Sequence, residues 1–452
     1  MSDYGYSFYL YRESGYFDIS VDYSIDGYHD PETFEYFGDT SWNYSINGVG
    51  GGGGYGAESG NAFFSMGFGS GEAVEHHIFE FSAHNTFSAE SISFRFDMLL
   101  AGAATADLVI AGTDYSELIV SGSGTDSLSG AGGRDHLDAG DGDDAVDGGD
   151  GNDLIDGGNG ADVMTGGAGD DQYYVDRAAD RIVELADGGG DHVHSRLSWT
   201  LSENVEALTL SGPSARRGIG NASGNLIYGN DLANTLVGLE GDDSLTGHGG
   251  DDLLHGGGGD DKLFGGLGLD TLKGGAGADT YLVDQASDTV AEGRGKGTDT
   301  VEIFFSIPSY ALGANLENMT FTGYAQPFRG FGNVLDNVIA GAHGDDRLFG
   351  MRGNDRLEGR VGDDMLVGGG GTDSFVFATG QGRDRIADFD ALGLETVAIA
   401  GGSNFDTFDE IMAAARSVGP DGASTLLRFG AGSSLLLTNV ALDDLTAANF
   451  GL

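Results

Sequence analysis

GGDGNDLIDGGNGADVMTGGAGDD, residues 148–171, holds nine glycines and six aspartates in twenty-four residues, yet keeps an apolar side chain at fixed intervals. On composition alone it reads as a flexible acidic linker. Its register says otherwise, because the stretch aligns with itself at a shift of nine as G-G-x-G-x-D-x-U-x, with U apolar.

Counted outward, units begin at Ser121, Gly130, Ala139, Gly148, Gly157 and Gly166. Their sixth slots hold Asp126, Asp135, Asp144, Asp153, Asp162 and Asp171, and their eighth slots Leu128, Leu137, Val146, Ile155, Met164 and Tyr173. A second block from Gly238 places Asp243, Asp252, Asp261, Asp270 and Asp279 with Leu245, Leu254, Leu263, Leu272 and Tyr281. A third from Gly341 places Asp346, Asp355, Asp364 and Asp373 with Leu348, Leu357, Leu366 and Phe375. Degenerate units precede the later blocks, with Asn225, Asn234 and Asn337 standing where Asp is expected.

Nine residues are too few for a helical repeat, and glycine this dense costs roughly 1 kcal/mol per helical position. The pattern predicts a six-residue turn followed by a three-residue strand whose middle side chain points inward. Two units make one coil of a flattened parallel β-roll. Stacked turns then bring Asp carboxylates and turn carbonyls of adjacent coils together around Ca²⁺, while the eighth-slot residues form the core.

These units resemble the glycine-rich nonapeptides of the RTX (repeats-in-toxin) family. The fold class expected is mainly β: three stacked parallel β-roll blocks in a solenoid, after a small β-rich (α+β) N-terminal domain and before a C-terminal capping and secretion region. The expected boundaries are 1–110 for the aromatic-rich N-terminal domain, 111–175, 220–283 and 332–376 for the blocks, 176–219 and 284–331 for spacer strands, and 377–452 for the C-terminal region. The fifteen sixth-slot aspartates are the candidate Ca²⁺ ligands. The tail resembles RTX C-terminal regions, which implies an uncleaved type I secretion signal read by an ABC exporter; capping of the solenoid's open end is its structural alternative.

Composition agrees with a need for cations. Of 452 residues, 72 are acidic against 21 basic, for a formal net charge of -51. That charge argues against nucleic acid or an anionic membrane as partner. At 39% hydrophobic residues the chain is nevertheless too apolar for disorder. There is no cysteine, hence no disulfide and no thiolate metal site. No run of eighteen apolar residues would span a membrane. The N-terminus lacks a basic start and an apolar h-region, so the chain either stays inside or leaves by a route that does not read the N-terminus. With these repeats the expected product is secreted and extracellular, with cell-surface association as the variant of that reading.

The spacers repeat as well. YYVDRAADRIVELADGGGDHV from Tyr173 and YLVDQASDTVAEGRGKGTDTV from Tyr281 match at an offset of 108. Both read as strands extending the solenoid; their Asp and Glu are either added cation ligands or solvated strand edges, and the second reading is favoured. In the tail, Thr407-x-x-Glu410 is a capping box for one short helix.

The first 110 residues lack the nonapeptide. FDISVDYSI and SISFRFDML alternate as half-buried strands, and GVGGGGGYG at 48–56 reads as a loop. No H-E-x-x-H and no G-x-S-x-G occurs, so a non-enzyme is expected. The order and texture of SVDYSIDGYHD, TFEYFGD and HHIFEFSAHNTFSAESISF are similar to the HasA-type haem-acquisition hemophore. In that resemblance His84 matches a supporting His and His76 takes the place of the ligating Tyr, making both candidate haem ligands. The first-loop ligand position falls near Ser41 and Trp42, where no His stands. Two functions stay open: a secreted calcium-binding protein with an N-terminal interaction domain and a cell-surface partner, or a secreted haem scavenger. An accessory module of an extracellular enzyme or adhesin is a third.

Overall fold

The computed structural model describes residues 107–452 with their side chains, apart from 305–306, 324–325, 401–406, 421, 431 and 452; of residues 1–106 it describes strands at backbone level. The chain divides into two compact units, residues 1–194 and 195–452.

In the first unit, glycine-rich turns alternate with short parallel strands on two faces. One face stacks Val109–Ala111, Ser127–Gly132, Ala145–Asp150, Val163–Ala168 and Arg181–Val183. The other stacks Ser116–Val120, His136–Asp138, Leu154–Asp156 and Gln172–Val175. Successive partners lie eighteen residues apart, as in Leu128↔Val146 and Val146↔Met164, so two nonapeptides make one coil. Every eighth-slot side chain named above is at most 2% exposed, from Leu128 at 1% to Tyr173 at 0%. Burying one such side chain stabilises the fold by roughly 1.5–3 kcal/mol. Several strands exceed the expected three residues. Ala145–Asp150 runs to six because pairing continues into the next turn at Ala131↔Gly149 and Gly132↔Asp150.

The N-terminal strands Gly5–Glu13, Tyr16–Ile25, Tyr28–Phe37 and Phe63–Met66 form an antiparallel sheet, and Ser91–Leu100 pairs in parallel with Ser116–Val120. Both alternating stretches read as strands are therefore strands. The glycine stretch 48–56 lies outside the described residues.

The second unit repeats the coil arithmetic. Leu236↔Leu254↔Leu272 and Leu245↔Leu263↔Tyr281 stack on opposite faces. The spacers extend the coils, with Thr280–Val283, Thr300–Ile303, Asn318–Phe321 and Val338–Ala340 in one parallel ladder. In the tail the helix Phe408–Ala414 begins at Thr407 with the capping box to Glu410 in place, and buries Ile411. Strands Ala415–Val418, Ser424–Gly430 and Ser433–Leu437 form an antiparallel meander, whose last strand adds in parallel to Arg383–Ile386. Phe450–Gly451 joins the opposite ladder beside Thr396–Ala400. The tail thus occupies sheet positions at the last coils, as a cap would.

Candidate calcium sites

The sixth-slot aspartates form ladders along the coil edges. One carboxylate oxygen, Oδ1, accepts the backbone N–H of the residue one coil earlier: Asp126 N–H to Asp144 at 2.7 Å, Asp144 to Asp162 at 2.9 Å, Asp243 to Asp261 at 2.9 Å, Asp355 to Asp373 at 2.9 Å. All fifteen are at most 3% exposed. In thirteen of them Oδ2 is buried without a hydrogen-bond partner; Asp126 and Asp346 are the exceptions. Ser121 fills the first slot of its unit, and its hydroxyl donates to Oδ2 of Asp126. The Ala342 N–H reaches Oδ2 of Asp346 at 3.0 Å.

The first-slot glycine makes room for that second oxygen. A Cβ built on Gly130 would lie 2.3 Å from Asp135 Oδ2 and 2.5 Å from the carbonyl oxygen of Gly148, one coil on. On Gly247 it would meet Asp252 Oδ2 at 2.1 Å and the Gly265 carbonyl at 2.6 Å. A carboxylate oxygen and a carbonyl oxygen therefore approach the same space with no donor between them. A buried acceptor left so costs about 1–3 kcal/mol, more when charged. A hard cation bound through oxygen resolves this, and the donor set fits Ca²⁺.

The asparagine coils supply an internal control. Asn225, Asn234 and Asn337 donate from Nδ2 to the carbonyls of Val205 at 3.0 Å, Ala215 at 3.2 Å and Leu316 at 3.1 Å. Where the amide replaces the carboxylate, protein hydrogen bonds satisfy the slot without a cation.

The spacer acids correct the expectation of solvated edges. Asp180, Asp191, Asp288 and Asp299 of the spacers are 8%, 0%, 9% and 1% exposed, and Asp384, just past the third block in the C-terminal region, is 4% exposed. They continue the ladders: Asp171 N–H reaches Asp191 at 2.9 Å, Asp279 reaches Asp299 at 3.0 Å, and Asp364 reaches Asp384 at 3.1 Å. A signal was present in the spacing. Asp180 and Asp288 lie nine residues after Asp171 and Asp279, before loops that lengthen the next step by two. At the end of the first block, Asp171, Glu184 and Asp191 bring ligand oxygens within 4.8 Å of one another. The Tyr173 hydroxyl donates to Glu184, and Tyr281 does the same to Glu292 in the second block. Burial pushes both tyrosine hydroxyls far up.

Burial also raises the ladder carboxyls from Asp135 to Asp171 and from Asp243 to Asp373, opposed by the backbone N–H each accepts. Asp144 and Asp153 rise to about 6, Asp162, Asp243, Asp252, Asp261 and Asp355 to about 7, and Asp171 and Asp364 to about 8. With folded values above the unfolded value of 3.8, the folded state binds more protons between them. The stability of the calcium-free fold is therefore greatest at acid pH and is lost as pH rises through about 6 to 8. Near-UV circular dichroism without calcium should show more folded chain at pH 5 than at pH 8; the reverse order would refute the assignment of buried, proton-binding carboxyls.

The candidate haem ligands gain no support. The side chains of His76 and His84 lie outside the described residues, and along the backbone both belong to the single strand Glu75–Asn85. Eight extended residues span about 26 Å, too far for one haem iron.

Comparison with known proteins agrees with the repeat. The model of the RTX calcium-binding nonapeptide repeat (4 copies) matches residues 111–146, 120–154, 139–173, 147–182, 228–263, 255–290 and 336–375. Over 172 residues the chain is 41% identical to endo-1,3-1,4-beta-glycanase EglC and 40% identical to endo-1,3-1,4-beta-glycanase ExsH, both of Rhizobium meliloti (strain 1021). Each alignment covers 38% of this chain and 33% of the relative, so the chain spans about a third of the length of the curated relatives it matches. Among solved structures, extracellular lipase LipA from Serratia marcescens is similar at 19% identity and TM-score 0.19, over 59% of this chain and 45% of that one. No helix among the described residues is long and apolar enough to cross a membrane.

Proposed function

We propose that this chain, whose residues 111–375 carry RTX calcium-binding nonapeptide repeats, is a secreted, non-catalytic calcium-binding protein whose rolls fold as they meet calcium outside the cell. The observation that carries this is the set of thirteen buried Oδ2 oxygens without a partner. The residues that would hold the ions are Asp126, Asp135, Asp144, Asp153, Asp162 and Asp171, then Asp243, Asp252, Asp261, Asp270 and Asp279, then Asp346, Asp355, Asp364 and Asp373. Turn carbonyls complete the set. Bound cations neutralise carboxylates that otherwise repel across each coil edge.

Type I export fits the same physics. Where calcium is scarce, the uncompensated carboxylates keep the blocks unfolded and able to pass an ABC exporter. Outside, calcium near 10⁻⁴ to 10⁻³ M suffices for sites of this extracellular class. Residues 1–110 are then the cargo, an interaction domain. The glycan-cleaving activity in the relatives' names is not carried over, because the shared span is 172 residues, a third of their length.

One substitution per block tests the ligands. Asp153→Ala, Asp261→Ala and Asp364→Ala should each raise the calcium concentration for half-maximal folding about tenfold, on the order of 1.4 kcal/mol. Asp150, an exposed residue outside the ladder, should tolerate Ala without a shift. Unchanged midpoints in all three ladder variants would remove the assignment.

A further inference from the structure

In a chain of net charge -51, one sheet face of the second unit is basic. The sheet comprises Ser309–Ala311, Arg329–Phe331, Arg347–Arg352, Met365–Gly370, Arg383–Ile386, Ser433–Leu437, Ser424–Gly430 and Ala415–Val418, in that spatial order. Its inward positions are buried, among them Leu348, Leu366, Ile386, Leu435 and Leu427. The alternate, outward positions carry Arg329, Arg347, Arg383, Arg385, Arg416 and Arg428, all exposed. The one carboxylate in these strands, Asp384, points inward and is 4% exposed.

Register turns these residues into rows. Arg329 pairs with Arg347, Arg347 with Met365, and Met365 with Arg385; beyond them Leu436, Leu426 and Arg416 continue the row. Arg383, Ser434 and Arg428 form a second row beside it. At about 4.8 Å between strands, the charges stand at regular steps across a sheet. An apolar row flanks them, where Phe331 and Phe349 stack with centroids 4.8 Å apart and Val367 follows. Arg385 Nε donates to Thr438 Oγ1 at 2.9 Å, and among the described residues none of the six arginines is in an ion pair.

We propose that this face binds a carboxylated polysaccharide. The guanidinium fork matches a carboxylate in two parallel hydrogen bonds. The apolar residues between the forks suit the non-polar faces of sugar rings. Rows that cross several strands suit an extended polymer more than a compact ligand. Charge density selects among anions. DNA carries a charge every 1.7 Å or so and a second copy of this chain carries its own -51, so the field of the whole molecule opposes both. A polysaccharide with one carboxylate per sugar or per disaccharide meets that field weakly and the local arginines fully.

The test uses the full chain folded in calcium, with immobilised hyaluronan as the carboxylated polymer, neutral dextran as control, and vesicles containing phosphatidylserine. Retention is expected on hyaluronan alone, falling with salt. The triple variant Arg329→Glu, Arg347→Glu, Arg385→Glu should bind at least tenfold more weakly, and the triple Arg→Lys variant by an intermediate amount, with calcium-induced circular dichroism unchanged in both. Arg216→Glu with Arg217→Glu, elsewhere in the unit, should leave binding intact. Equal binding by the Glu triple variant, retention on vesicles only, or a concentration-dependent self-association abolished by that variant would each overturn the proposal.

Discussion

Withdrawing calcium at pH 7.5 is expected to abolish most of the β signal of residues 107–400, and returning it to about 10⁻⁴ to 10⁻³ M to restore that signal in a steep transition. The size of the effect follows from the ladders. Thirteen buried oxygens lack a donor, each at a cost of about 1–3 kcal/mol or more, and together these exceed the roughly 5–15 kcal/mol by which a domain is normally stable. The steepness follows from sharing, because each carboxylate accepts from the preceding coil, as Asp153 N–H to Asp171 at 2.7 Å, so ordering one coil prepares the next. Magnesium at the same concentration should not substitute, since it demands a smaller octahedral cage and gives up water reluctantly. A calcium titration followed by far-UV circular dichroism decides the matter: no change up to about 10 mM, well above this site class, would sink the calcium-dependent roll.

The second large effect is steric. Gly371 has φ +144°, and a Cβ on it would stand 1.9 Å from the carbonyl oxygen of Gly353 in the preceding coil. Backbone cannot yield there without separating two coils, so Gly371→Ala should cost more than about 4 kcal/mol. Gly380 has φ +91° but nothing within 4 Å of its hypothetical Cβ. Gly380→Ala bears only the left-handed backbone penalty, about 1–2 kcal/mol. Denaturant unfolding of the calcium-loaded variants measures both; similar losses would show that coil contact is not what requires the glycine at 371.

Much of the roll could be read in advance because a nine-residue period leaves little freedom. Once Asp153 and Ile155 recur as Asp162 and Met164, the eighteen-residue coil, its inward row and its edge row follow from strand alternation. The candidate ligands were legible for the same reason. Reading faltered where the period changed. The step from Asp180 to Asp191 is eleven residues, so a strict nine-residue count drops Asp191, although the coil lands it beside Asp171 at 0% exposure. Nor does the count show that Ser121 and the Ala342 N–H already satisfy Asp126 and Asp346, because both bonds depend on turn conformation.

By itself the sequence determined the coil length, the core row from Leu128 to Phe375 and the carboxylate rows that call for a cation, since each depends on spacing within one short unit. Tertiary structure alone decided which spacer acids are buried and which arginines share a face. Arg329, Arg385, Arg416 and Arg428 are separated by up to a hundred residues, by loops of unequal length and by an antiparallel meander. A shift of one residue in any of those pairings would turn a side chain to the other side of the sheet, so only the assembled register places them together.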